Sequence, residues 1–168
     1  MKIVLTGFAA CYKTSVGKLL ANRLGLRFFD VDREAERRAG MTVRDIFEQF
    51  GEEYFRRAEG KELTRLTDKT DCVVACGGGS ALLAQYSALA ESATAVVWLD
   101  ASVQTVISRL DGARPLADGK TPEQIARLMT ERKPFYARYA NAIFNTDGLS
   151  SEQVTDTVAQ WLETNILQ

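Results

Sequence analysis

Histidine is absent from all 168 residues. That absence excludes imidazole as a catalytic base and as a metal ligand. Cysteine is scarce: Cys11, Cys72 and Cys76 make an odd number without paired metal-ligand spacing. Cys72 and Cys76 lie in or beside an apolar run, where buried thiols are common, so reduced thiols in a cytoplasmic protein are expected. No apolar stretch approaches ~20 residues, so no membrane span is expected. The segment before Gly7 is too short for a secretory signal. Neither charge dominates: 21 basic and 22 acidic residues leave a formal net charge of -1. That balance argues against nucleic acid as a partner held by bulk charge and leaves room only for a local basic pocket.

What is present reads as an ordinary folded chain. Hydrophobic residues make up 46% and charged residues 26%, close to globular usage. The length suits one domain, and no repeat, low-complexity tract or linker divides residues 1–168.

Short apolar runs alternate with stretches of helical periodicity. Strands are expected at Lys2 to Thr6, Leu26 to Phe29, Cys72 to Cys76, Ala95 to Leu99 and Ala142 to Phe144. Val16, Leu19, Leu20 and Leu24 share a helical face from Lys13 to Leu24, and Gly25 is a natural stop. Arg33 to Thr67 reads as helical with breaks near Gly40 and Gly51. Further helices are expected at Leu82 to Leu89, Ser102 to Leu110, Pro122 to Tyr139 with a bend near Pro134, and Ser151 to Leu162. The alternation implies an α/β fold with a parallel sheet covered on both faces. Ligands of such sheets bind at the C-terminal strand ends, where the Gly7 loop, Asp30-Val-Asp32 and Gly77-Gly-Gly79 should meet.

The loop Gly7-Phe-Ala-Ala-Cys-Tyr-Lys-Thr14 carries the clearest chemistry. It has the first Gly, the Lys and the Thr of a phosphate-binding loop, and it stands between a strand and a helix. Its backbone N–H groups, aimed by the helix N-terminus, suit phosphate oxygens, with Lys13 on the β- and γ-phosphates and Thr14 on Mg²⁺. A turn with an incidental Lys is the plainer reading, but Lys in a first helical turn opposes the dipole. Tyr12 stands where a second Gly belongs. Either the loop takes a negative-φ shape there, or it holds a strained residue, or nucleotide binding is weakened. Asp30 and Asp32 offer one carboxylate to a metal and one to a substrate, although Asp32 would also serve as a helix cap. Arg56 and Glu59 are three apart on one helix face, where a solvated ion pair is the bland alternative. Three glycines after a buried strand suggest close approach of a ligand or chain. Arg114 falls in a polar stretch, about 111–120, of a length suited to a mobile lid; Arg132 is a candidate anion ligand.

In this order and at these spacings the motifs resemble the shikimate kinases, a branch of the nucleoside-monophosphate-kinase-like P-loop group. The marks are Gly7-Phe8 to Ser15-Val-Gly17, Phe29-Asp-Val-Asp32, Gly51-Glu52, Phe55-Arg-Arg-Ala-Glu59, Gly77-Gly-Gly79, Arg114-Pro-Leu116 and Arg132-Lys-Pro-Phe-Tyr136. The resemblance implies a three-layer αβα fold with a five-stranded parallel sheet of order 2-3-1-4-5 and a mobile lid. It implies a monomer that phosphorylates the 3-hydroxyl of shikimate with Mg·ATP, a step towards chorismate and the aromatic amino acids. By position it assigns ATP contacts to Ala9, Ala10, Cys11, Tyr12, Lys13, Thr14, Ser15, Arg109 and Arg114. Asp32, Arg56, Glu59, Gly77, Gly78, Gly79 and Arg132 would form the shikimate site, within a helical region of about 31–69 and beyond. Thr14 and Asp30 would serve Mg²⁺, and Lys13, Asp32 and Arg114 catalysis, with Arg109 stacking on adenine. Asn145 to Ser150 departs from the basic residue that relatives carry near the adenine. With Tyr12, that departure leaves open a shikimate-binding relative with impaired catalysis; a small-molecule kinase of other specificity is a separate alternative.

Overall fold

The computed structural model describes residues 1–110 and 119–167. Its sheet has five parallel strands in the order β2-β3-β1-β4-β5. These are β1 (Lys2–Thr6), β2 (Arg27–Asp30), β3 (Cys72–Ala75), β4 (Ala95–Asp100) and β5 (Ala142–Asn145). Strands β1 and β3 are buried along their whole length, as expected of parallel strands covered on both faces. The edge strand β5 instead alternates half-buried and exposed positions.

Among the described residues seven α-helices flank the sheet: α1 (Lys13–Leu24), α2 (Val31–Ala39), α3 (Val43–Thr67), α4 (Gln85–Glu91), α5 (Val103–Arg109), α6 (Pro122–Ala137) and α7 (Ser151–Asn165). The main core joins β1, β3 and β4 to the inner faces of α1, α6 and α7 through residues such as Leu5, Val16, Leu20, Val74, Tyr136 and Leu162. A smaller cluster of Ala35, Ile46 and Phe55 fastens α2 to α3. The three buried cysteines are free thiols.

Local chemistry fixes most helix ends. Gly25 and Gly40 take left-handed conformations and close α1 and α2. Thr42, Thr121 and Ser150 each form a capping box at the start of α3, α6 and α7. Gly51 breaks α3 with φ 80° and ψ 172°, as its sequence suggests.

Three boundaries differ from the sequence reading. The stretch from Leu82 to Leu89 is split: a 3₁₀ turn (Ser80–Leu82) ends at extended Leu83, and α4 begins later. Helix α6 ends at Ala137 rather than Tyr139, after running through Pro134 with Arg138 N–H donating to the Pro134 carbonyl while Ile125, Met129 and Tyr136 anchor the inner face. Strand β2 extends to Asp30, and α2 starts at once with Val31.

Candidate functional site

The site begins with strand register. Leu5 and Asp30 both pair with Ala75, so β1, β2 and β3 end side by side. The phosphate loop, the two aspartates and the glycine triplet therefore leave the sheet at one edge.

Within the phosphate loop, Gly7 has φ 138°, and a Cβ there would run into the Leu99 carbonyl of β4. Glycine is needed at that point on both grounds. Ala10 (φ 60°) and Tyr12 (φ 64°) are left-handed without being glycine. The loop thus keeps the strained form at Tyr12, and it does so at Ala10 as well, a position the sequence reading passed over. Left-handed residues separated by Cys11 turn successive N–H groups into a concavity suited to anions. Helix α1 follows directly, so its N-terminal partial charge adds to that field. Lys13 is buried, and its ammonium donates to the Phe8 carbonyl at 2.5 Å, back across the loop. Cys11 and Ala9 complete the loop, with the Cys11 thiol 3.6 Å from the Ala9 carbonyl. Ser15 is exposed in the first turn of α1.

Thr14 joins this loop to β2, its hydroxyl donating to Asp30 Oδ2 at 2.6 Å. Asp30, rather than Asp32, is the N-cap of α2, accepting from the Arg33 N–H. A hydroxyl and a carboxylate so close form a hard-oxygen pair that fits Mg²⁺, an ion held by few protein ligands plus phosphate and water. Among the described residues no cluster of three or more acidic, Cys or His residues forms an all-protein metal cage.

Asp32 lies in the first turn of α2, and its Oδ1 is buried with no hydrogen-bond partner among the described residues. Its pKa is pushed up from 3.8 to about 7, first by burial and then by the charges of Glu59 and Asp30. Lys13 and Arg56 pull in the opposite direction. An unpaired carboxylate in that range suits proton acceptance near neutrality.

Each glycine of the triplet faces a different functional group. A Cβ at Gly77 would lie 2.5 Å from Asp32 Oδ1 and 2.6 Å from Glu59 Oε1. At Gly78 it would lie 3.2 Å from the Ala9 nitrogen of the phosphate loop and 3.7 Å from Arg132. At Gly79 it would enter the Arg56 guanidinium. The triplet is therefore the surface on which the site is assembled, and side chains there would displace it.

Two further residues, Ser80 and Tyr136, hold this surface, and neither was given a site role from sequence. Ser80 donates to Glu59 Oε1 at 2.5 Å, while Arg56 donates to Glu59 Oε2 at 2.5 Å. Glu59 is 0% exposed, so the i, i+3 pair is a buried anchor and not a solvated bridge. Tyr136, four residues after Arg132, donates its hydroxyl to the Gly78 carbonyl at 2.5 Å. Arg132 reaches the same carbonyl at 3.2 Å and lies over the Phe8 ring. The helical spacing of Arg132 and Tyr136 was a usable signal; Ser80 had only its place after the glycines.

On the nucleotide side, Arg109 ends α5 and donates to the carbonyls of Ala10 and Thr146 and to the Thr146 hydroxyl. Thr146 is buried in the Asn145–Ser150 segment singled out above, but nothing local in sequence marks it as the partner of Arg109. Arg114 and most of the stretch 111–120 lie outside the described residues.

A parallel sheet of this order with a strand–loop–helix phosphate cradle at its edge defines a P-loop kinase fold. The shikimate kinase family model matches residues 9–163. The chain is 38% identical over 167 residues to a shikimate kinase of Moorella thermoacetica, covering 96% of both proteins. It is 41% identical to one of Geobacter sulfurreducens, covering 95% of this chain and 90% of the relative. The fold superposes on a shikimate kinase from Acinetobacter baumannii in complex with shikimate with a TM-score of 0.92 at 32% identity, covering 99% of this chain and 95% of that one. The chain belongs to the shikimate kinase family.

Proposed function

We propose that this chain transfers the γ-phosphoryl group of ATP to the 3-hydroxyl of shikimate, giving ADP and shikimate 3-phosphate on the route to chorismate. The observation that supports this most is the glycine triplet, whose successive residues meet Asp32, Arg132 and Arg56. That arrangement offers a proton acceptor and two guanidinium groups around one small space. Two planar cations suit a carboxylate, and backbone N–H groups of the triplet would suit ring hydroxyls.

The residues then divide the work. Backbone N–H groups from Ala9 to Ser15 receive phosphate oxygens, and Lys13 leaves the Phe8 carbonyl for the β- and γ-phosphates. Thr14 and Asp30 would hold Mg²⁺, which neutralises charge on the phosphates when bound. Arg56, fixed by Glu59, and Arg132, fixed beside Gly78, take the substrate carboxylate. Asp32 orients the attacking hydroxyl and accepts its proton, so it must be ionised for the step. Arg114 supplies positive charge to the transferring phosphoryl group.

Such transfer depends on position and charge more than on covalent catalysis. We read the chain as one domain, with a substrate-binding helical region of about 31–69 and a lid of about 111–120, acting as a monomer in the cytoplasm. Three buried free thiols are in keeping with a reducing compartment. No helix among the described residues is long and apolar enough to cross a membrane. The test is coupled detection of ADP with Mg·ATP and shikimate. Shikimate-dependent turnover far above a Lys13→Ala control is expected, and turnover equal to that control contradicts the proposal.

A further inference from the structure

Tyr12 occupies a conformation that disfavours it. It is the N-cap of α1 with φ 64° and ψ 11°, and its side chain makes no capping hydrogen bond. A non-glycine residue persists in such a place only when its surroundings hold it there. Those surroundings are specific. The Tyr12 ring packs partly against the main core, and Arg109 Cζ lies 3.8 Å from the ring centroid. This is a close cation–π stack, well within the ~6 Å reach of the interaction.

Arg109 is also engaged through both Nη atoms. Nη1 donates to the Ala10 carbonyl at 3.3 Å and the Thr146 hydroxyl at 2.9 Å, and Nη2 donates to the Thr146 carbonyl at 2.7 Å. Thr146 is itself 0% exposed and its N–H donates to the Asp100 carbonyl at 2.9 Å. The guanidinium thus ties the phosphate loop to the loop after β5, while the Tyr12 ring covers one of its faces. A long, flexible cation has become a fixed, flat one beside the phosphate cradle.

Resting on the reading of this loop as the ATP site, we infer that Tyr12 is a nucleotide-positioning residue that acts through Arg109. Its ring holds the guanidinium in the plane from which it meets the nucleotide. The ring is the working part, because among the described residues no hydrogen bond of the Tyr12 hydroxyl accompanies the stack. Glycine at this position would relax the backbone and leave Arg109 without its support. Removing the strain and preserving the affinity are therefore opposed.

Calorimetry of Mg·ADP and, separately, of shikimate tests this on the intact protein. Tyr12→Asn removes the ring and retains a residue that tolerates the left-handed conformation. It should weaken Mg·ADP about fivefold, the scale of a partly exposed cation–π contact, and leave the shikimate Kd within about twofold. Tyr12→Phe should restore wild-type nucleotide affinity. In an Arg109→Met background, Tyr12→Asn should produce no further loss. Unchanged or tighter Mg·ADP binding by Tyr12→Asn overturns the inference. So does an equal loss for both ligands, or the full loss repeated in the Arg109→Met background. Wild-type protein that binds no Mg·ADP at millimolar concentration would instead defeat the ATP-site reading itself.

Discussion

Asp32→Asn should make the protein more stable and inactive at once. The wild-type carboxyl has its pKa raised from 3.8 to about 7 by burial and by Glu59 and Asp30. A raised carboxyl pKa means that folding favours the neutral form. The unfolded chain gives up this proton near 3.8, whereas the folded chain keeps it until about 7. Wild-type stability therefore falls as pH rises between those values, and the whole cost is present above 7. By linkage the cost is at most roughly 4 kcal/mol. Asparagine is neutral throughout and nearly isosteric. We expect it to add about 2–4 kcal/mol at pH 8, with the advantage shrinking by about 2 kcal/mol at pH 5. Urea denaturation of both proteins at the two pH values measures this directly, and a coupled assay should show loss of turnover in the variant. A variant that is less stable at pH 8, or whose advantage grows towards acid, refutes the reasoning.

Other expectations follow from the same geometry. Because Asp32 must be ionised, wild-type kcat/KM for shikimate should rise with pH through about 7; Glu59→Gln removes a neighbouring negative charge and should move this limb to lower pH in a pH–rate profile. Gly79→Ala places a methyl group in the Arg56 guanidinium and should raise the KM for shikimate about tenfold while the KM for ATP stays within about twofold, a loss of the size of one displaced charged contact. Gly7→Ala meets both φ 138° and the Leu99 carbonyl and should cost about 3 kcal/mol or more in denaturation, since backbone of two strands must separate.

Much of this was legible because it is local. The helix Lys13–Leu24 follows from its apolar spacing and the glycine after it, and both bounds agree with the structure. The sheet order agrees with the one implied by the family resemblance. What escaped depends on contacts distant in sequence. Helix α6 was expected to run past Pro134 to Tyr139; it does pass Pro134 but ends at Ala137. Asp32 looked like a possible cap, yet β2 ends at Asp30, which takes the cap and leaves Asp32 unpaired. For Tyr12, sequence allowed a relaxed loop, a strained loop or a weakened one. The structure shows the strained one, and its explanation lies in Arg109, 97 positions away by number and secured by Thr146. Arg114, read from its polar stretch and from the family resemblance, lies outside the described residues.

The central claim is transfer to one hydroxyl of shikimate, and product analysis after a single turnover tests it most directly. Enzyme in excess, mixed with Mg·ATP and shikimate and quenched, should yield ADP and an equal amount of shikimate 3-phosphate, identified by phosphorus and proton NMR. Asp32→Asn under the same conditions should yield neither. Release of inorganic phosphate without phosphorylated shikimate, or phosphate on a different hydroxyl, would contradict the account.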